Sequence, residues 1–131
     1  MKRDTLIYRI TTGIIFVLMF ASAANFAFNA TQRDAFRHLG LPNWFRIELT
    51  VAKFAGALCL VLPRVPRVVR EFSYAGFAIT IVSADVAHLS SGDPTWFILP
   101  HATFLAILVV SYVEFEKLAR RRSPAAPGLE R

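Results

Sequence analysis

One cysteine stands in the 131 residues, so within a single chain Cys59 can form no disulfide, no CxxC redox pair and no cysteine-rich metal site. It reads as a small apolar packing residue. Acidic residues are scarce as well, nine against fifteen lysines and arginines, for a formal net charge of +6 and a sequence pI of about 10.3. That balance suits nucleic acid only where the bases gather on a soluble face among aromatic platforms. Here they cluster at the ends of apolar runs instead, which excludes nucleic acid as a partner. Cofactor-binding motifs and internal repeats are both missing.

Apolar residues are abundant. They make up 55% of the chain, and the mean hydropathy is +0.46, above what a soluble domain of this size carries. Four long apolar runs cover about 7–28, 45–62, 72–90 and 96–115, and a hydrocarbon core of roughly 30 Å takes about 20 helical residues to cross. The expected fold is all-α, one antiparallel bundle of four transmembrane helices in the lipid bilayer. Pro63 ends the second run, SSGDP closes the third, and Pro100 sits near the start of the fourth, where a proline is tolerated. The tail SPAAPGLER reads as disordered. The opening MKRD, followed by an apolar run and ASAAN, resembles a secretory signal, but Asp4 and Arg9 interrupt the usual order of basic then apolar residues. The first run is therefore taken as a span. Asn29-Ala30-Thr31 matches a glycosylation acceptor and is read as chance.

Lysines and arginines are retained on the cytoplasmic side of a membrane. With four spans, one side holds Lys2, Arg3, Arg9, Arg64, Arg67, Arg70, Lys117, Arg120, Arg121, Arg122 and Arg131, and the other holds Arg33, Arg37 and Arg46. The expectation is a plasma (inner) membrane protein with both termini cytoplasmic. Trp44 and Trp96 then both fall at the outer interface, where indole rings settle.

At about 1.5 Å per helical residue, Lys53 lies about 12 Å from the outer end, Asp85 about 9 Å, His101 about 8 Å, and Glu48 and His88 about 4 to 5 Å. Asn25 and Ser22 lie at similar outer depths on the first run, whereas the inner halves offer neutral groups such as Thr12, Tyr74 and Ser111. Ionisable groups in hydrocarbon usually face inward and pair. The expectations are a Lys53–Asp85 ion pair between the second and third spans, His88 on the same face as Asp85, and a polar pocket opening to the outer half. Its candidate residues are Lys53, Asp85, His88, His101, Glu48 and Asn25. Small residues beside Lys53 (Ala52, Gly56) and along the third span (Gly76, Thr80, Ser83, Ala87) read as packing stripes. The outer segment NATQRDAFRHLGLPNW reads as a short interfacial helix capping the pocket, with Ala35, Phe36, Leu39 and Leu41 on the membrane and His38 facing solvent.

The approach HLGLP, Glu48 with Lys53 and Gly56, the basic proline loop PRVPRVVRE and the closing AHLSSGD together resemble the DoxX-like family of small bacterial four-helix membrane proteins, over about Tyr8 to Tyr112. The expected organisation is one DoxX-like domain over 1–116 and a basic, disordered cytoplasmic tail over 117–131. The resemblance implies kinship with the small membrane subunit of an archaeal thiosulfate:quinone oxidoreductase, and it assigns no catalytic residue. The expected function is a quinone-linked or redox-accessory membrane subunit, with quinone as ligand, a redox protein as partner and imidazoles exchanging protons near neutral pH. The alternatives are a structural or assembly protein, alone or as a homo-oligomer, a small proton-coupled carrier, and an acid/base enzyme on a lipid substrate. Haem on His88 and His101 fits the depths but not the habit of such histidines, which is to sit at the interface. No metal is expected.

Overall fold

The computed structural model describes residues 2–122, which are helical throughout apart from short connections. The helices are α1 (Lys2–Phe28), α2 (Ala30–His38), α3 (Asn43–Val61), α4 (Arg67–Ser90) and α5 (Ile98–Arg122), with a 3-10 turn at Thr95–Phe97 before the last. Polar signals in the connections set the ends. Asn29 is extended, and its Oδ1 accepts from the Thr31 backbone N–H at 3.0 Å, starting α2 as an N-cap. Gly40 takes φ 72° after α2, and the Leu41 N–H reaches back to the Phe36 carbonyl at 2.8 Å. This is the glycine-terminated Schellman closure. Gly92, φ 77°, repeats it after α4, where the Asp93 N–H reaches the His88 carbonyl at 3.0 Å.

The four long helices stand at the corners of a square, α1 against α3 and α5, and α4 against the same two. Two contacts on each interface show every neighbour to be antiparallel: Ser22 with Lys53 and Phe26 with Arg46, Gly56 with Phe77 and Leu62 with Arg70, Asp85 with His101 and Tyr74 with Ser111, Thr12 with Ser111 and Asp4 with Arg121. The core between them is aliphatic and aromatic, with Ile15, Leu60, Tyr74, Phe77, Ile81, Phe104 and Leu108 buried. One polar link crosses it, in which the Ser111 hydroxyl lies 2.8 Å from Thr12 Oγ1 and 2.7 Å from Tyr74 Oη, tying α5 to α1 and α4. Outside, large apolar side chains such as Val17, Phe72, Ile79 and Leu99 are exposed, the reverse of a water-soluble surface.

Three stretches, Lys2–Phe28, Arg67–Ser90 and Thr95–Arg122, are long and apolar enough to cross a membrane. Helix α3 differs because Arg46, Glu48 and Lys53 all fall within its nineteen residues. Two further differences from the sequence expectation concern the end of α5 and the burial of α2. Helix α5 runs on to Arg122, past Lys117, where a disordered tail was expected to begin. Ion pairs hold this last stretch, Lys117 to Glu114 at 2.6 Å and Arg121 to Asp4 of α1 at 2.6 Å; SPAAPGLER lies outside the described residues. In α2, Phe36 is buried against Phe26, ring centroids 5.1 Å apart at 86°, rather than laid on the membrane.

The stripes of small residues serve different ends. A Cβ built on Gly56 would stand 2.9 Å from Cζ of the buried Phe77, whereas one built on Gly76 meets nothing within 4 Å. Gly56→Leu is therefore expected to cost about 1–3 kcal/mol, the usual price of overpacking, and Gly76→Leu far less. Thermal unfolding of the two variants in the same mild detergent compares them directly.

Candidate functional site

The end of the square away from the termini gathers all three histidines of the chain and two of its aspartates. Asp93 is the hub. The Schellman closure at Gly92 turns the chain back over α4, so that the residue whose N–H caps the His88 carbonyl also offers its carboxylate to the His88 side chain. His88 Nδ1 lies 2.7 Å from Asp93 Oδ2, and His38 Nε2, at the end of α2, lies 2.8 Å from Asp93 Oδ1. One turn of α4 below His88, Asp85 Oδ1 holds His101 Nδ1 of α5 at 2.5 Å. The His88 and His101 rings are 6.2 Å apart, and His88 stacks on Phe97 at 5.0 Å, 7° from parallel. Phe97 in turn stacks on Trp96 at 4.1 Å.

A carboxylate behind an imidazole fixes its tautomer and orientation. His88 and His101 are both held through Nδ1, which leaves Nε2 of each for other work. Such a nitrogen can accept or deliver a proton, as in general acid–base chemistry. Asp93 itself lies outside the long helices, and its carboxyl is held below the ordinary carboxylate range, first by the hydrogen bond from His88 and then by that from His38. Asp93 bridges two histidines and Asp85 holds the third, and among the described residues no three histidine, cysteine or acidic groups are placed to hold one metal ion.

Lys53 stands apart from this cluster, contrary to the expected ion pair. Its ammonium donates to Ser22 Oγ at 2.9 Å and sits 3.8 Å from the centroid of the Phe26 ring, both on α1, while Asp85 turns to His101 on α5. Register explains the miss. With Gly56 against Phe77 in an antiparallel pair, Lys53 is level with Thr80, five residues or about 7.5 Å short of Asp85. Arg46, seven residues before Lys53 on the same buried stripe, donates to Asn43 Oδ1 at 2.9 Å and to the Phe26 carbonyl. A guanidinium there satisfies one of the open carbonyls at the C-terminus of α1 and complements its dipole. Of the remaining candidates, Glu48 is exposed on α3, and Asn25 is exposed and accepts from Asn29 Nδ2 at 3.0 Å.

Thus Asp85, His88 and His101 come together, Lys53 forms a separate centre with Ser22 and Phe26, and Glu48 and Asn25 join neither. His38 and Asp93 belong to the cluster although sequence reasoning left both out. The signal for Asp93 was present in Ser-Gly-Asp directly after a helix, since a glycine in that position folds the next residue back over the last turn.

These features define an all-helical membrane protein with a histidine–aspartate cluster at one end. The chain belongs to the DoxX-like family, whose pattern it matches over residues 10–111. No curated protein and no solved structure matches it.

Two expected outcomes follow from the geometry. Because no carboxylate among the described residues pairs with Lys53, Lys53→Met should change unfolding stability by no more than about 1 kcal/mol, the scale of one hydrogen bond. An ammonium that neutralised a buried carboxylate would instead cost about 3–5 kcal/mol on removal; chemical denaturation of the variant reads the difference. Asp93 has a native pKa below its unfolded value, so its contribution is fully present above about pH 3.9 and is lost as the pH falls through the lowered native value. Melting curves between pH 6 and pH 2.5 should show a steeper acid loss for the wild type than for Asp93→Asn.

Proposed function

We propose that the chain is a four-span antiparallel bundle of the inner membrane, termini in the cytoplasm, whose histidine–aspartate cluster serves as a proton-exchanging site for a quinone at the extracytoplasmic face. The observation that carries this reading is the pairing of His88 and His101 with Asp93 and Asp85, which leaves two oriented imidazole nitrogens at one end of the molecule. The crowding of lysines and arginines at the other end supports the orientation. Helix α3 serves as the fourth span because its nineteen residues extend about 28 Å and because Lys53 and Arg46 find their partners inside the protein.

Reducing a quinone to its quinol takes up two electrons and two protons. The imidazoles transfer the protons at the quinone oxygens. The electrons come from a redox partner protein, which makes this chain an accessory subunit rather than a complete oxidoreductase. The stacked rings of Trp96, Phe97 and His88 offer a planar ligand a flat aromatic wall beside the histidines.

Trp96 provides the readout. Titration of the detergent-purified protein with a short-tailed benzoquinone should quench its tryptophan fluorescence saturably. His101→Ala should weaken binding about tenfold, about 1.4 kcal/mol, and Lys53→Met should leave it unchanged. Linear, unsaturable quenching in wild type, or equal affinity in His101→Ala, would leave the cluster as a device for joining helices and favour an assembly role.

A further inference from the structure

We infer that α2 is a hinged lid over the histidine cluster and that the His38–Asp93 contact is its latch. The inference rests on the reading of that cluster as the working site and concerns how the site is reached. Helix α2 packs only on α1 and α3 among the described residues. Among the described residues, the hydrogen bond from His38 Nε2 to Asp93 is the one that ties it to the α4–α5 half. The strap therefore lies along the α1–α3 side of the square and is fastened to the other side by a single side chain.

The fastening is weak by construction. Nine residues are too few for a helix to stand alone in water, so α2 persists through its caps at Asn29 and Gly40 and through one buried anchor, Phe36 against Phe26. Arg33, Asp34 and Arg37 are exposed. An element with one apolar anchor and mostly solvent-facing side chains belongs to the part of a protein that opens locally before the whole unfolds. Gly40, at φ 72°, lies two residues beyond His38, and Gly92, at φ 77°, precedes Asp93. Backbone without a Cβ thus borders both halves of the latch and can absorb the change in angle.

Asp93 couples the latch to the site. Its two oxygens are divided between His38 on the lid and His88 in the cluster. Release of His38 frees Oδ1 and uncovers the His88 side, while the Asp85–His101 bond, made between α4 and α5, stays in place.

The test reads histidine access and not quinone binding, so it fails or succeeds separately from the proposed function. Wild type, His38→Ala and the exposed control Arg37→Ala are treated with diethylpyrocarbonate in mild detergent, and modification of His88 and His101 is followed by peptide mass spectrometry alongside amide hydrogen exchange. The expected result is a rise of fivefold or more in His88 modification in His38→Ala alone, with faster exchange confined to residues 29–42. Unchanged His88 modification in His38→Ala would overturn the inference. So would faster exchange spread over α1 and α3, because α2 would then be part of the supporting framework rather than a lid.

Discussion

Hydrocarbon offers no hydrogen bonds, so polar groups facing away from water must find partners within the protein. That constraint shapes both the helix ends and the buried side chains. Arg46 reaches from α3 to a terminal carbonyl of α1, and Arg70 reaches from α4 to the Leu62 carbonyl just past α3, at 2.6 Å. Each arginine thus closes the C-terminus of a helix other than its own, at opposite ends of the square. Lys53, without a carboxylate, settles on a hydroxyl and the face of an aromatic ring, which meets the same demand through a cation–π contact.

The two ends of the molecule meet the constraint with different chemistry. Near the termini the pairs are permanent charges, Arg67 with Glu71 and Glu116, Arg121 with Asp4, Lys117 with Glu114. Away from the termini they are histidine with aspartate, beside one exposed pair on α2, Arg37 with Asp34 at 3.4 Å. Arginine keeps its charge at any physiological pH, whereas imidazole changes its charge near neutrality. Between the two lies an apolar core crossed by one set of three hydroxyls. The histidines are therefore concentrated at one end, and most of the fixed-charge pairs at the other.

Much of this was legible because hydrocarbon length and turn chemistry leave strong marks in sequence. The long apolar runs located the helices to within a few residues, except where polar pairing extends them: α1 begins at Lys2, α4 at Arg67, and α5 reaches Arg122. Depth along each helix was readable too, and it brought Asp85, His88 and His101 to one end. Direction around the helix was not. Lys53 lies on a buried stripe with Arg46, Thr50, Ala57 and Leu60, and a sequence does not say whether such a stripe turns toward α1 or toward α4. An error of one turn in the register between α3 and α4 completed the mistaken pairing with Asp85.

His38 shows the same limit from the other side. Taken alone it belongs to a polar, exposed segment, and its side chain is indeed 56% exposed. What recruits it is the backbone. Gly92 ends α4 in a left-handed turn, the turn lifts Asp93 over His88, and the second carboxylate oxygen is left facing the end of α2. A two-residue signal, glycine then aspartate after a helix, thus determines which histidines can share a carboxylate fifty-five residues along the chain from His38. The cluster is local on the α4 side and long-range on the α2 side. Losing the long-range bond leaves the local one standing, and this is why a site of this construction can open without coming apart.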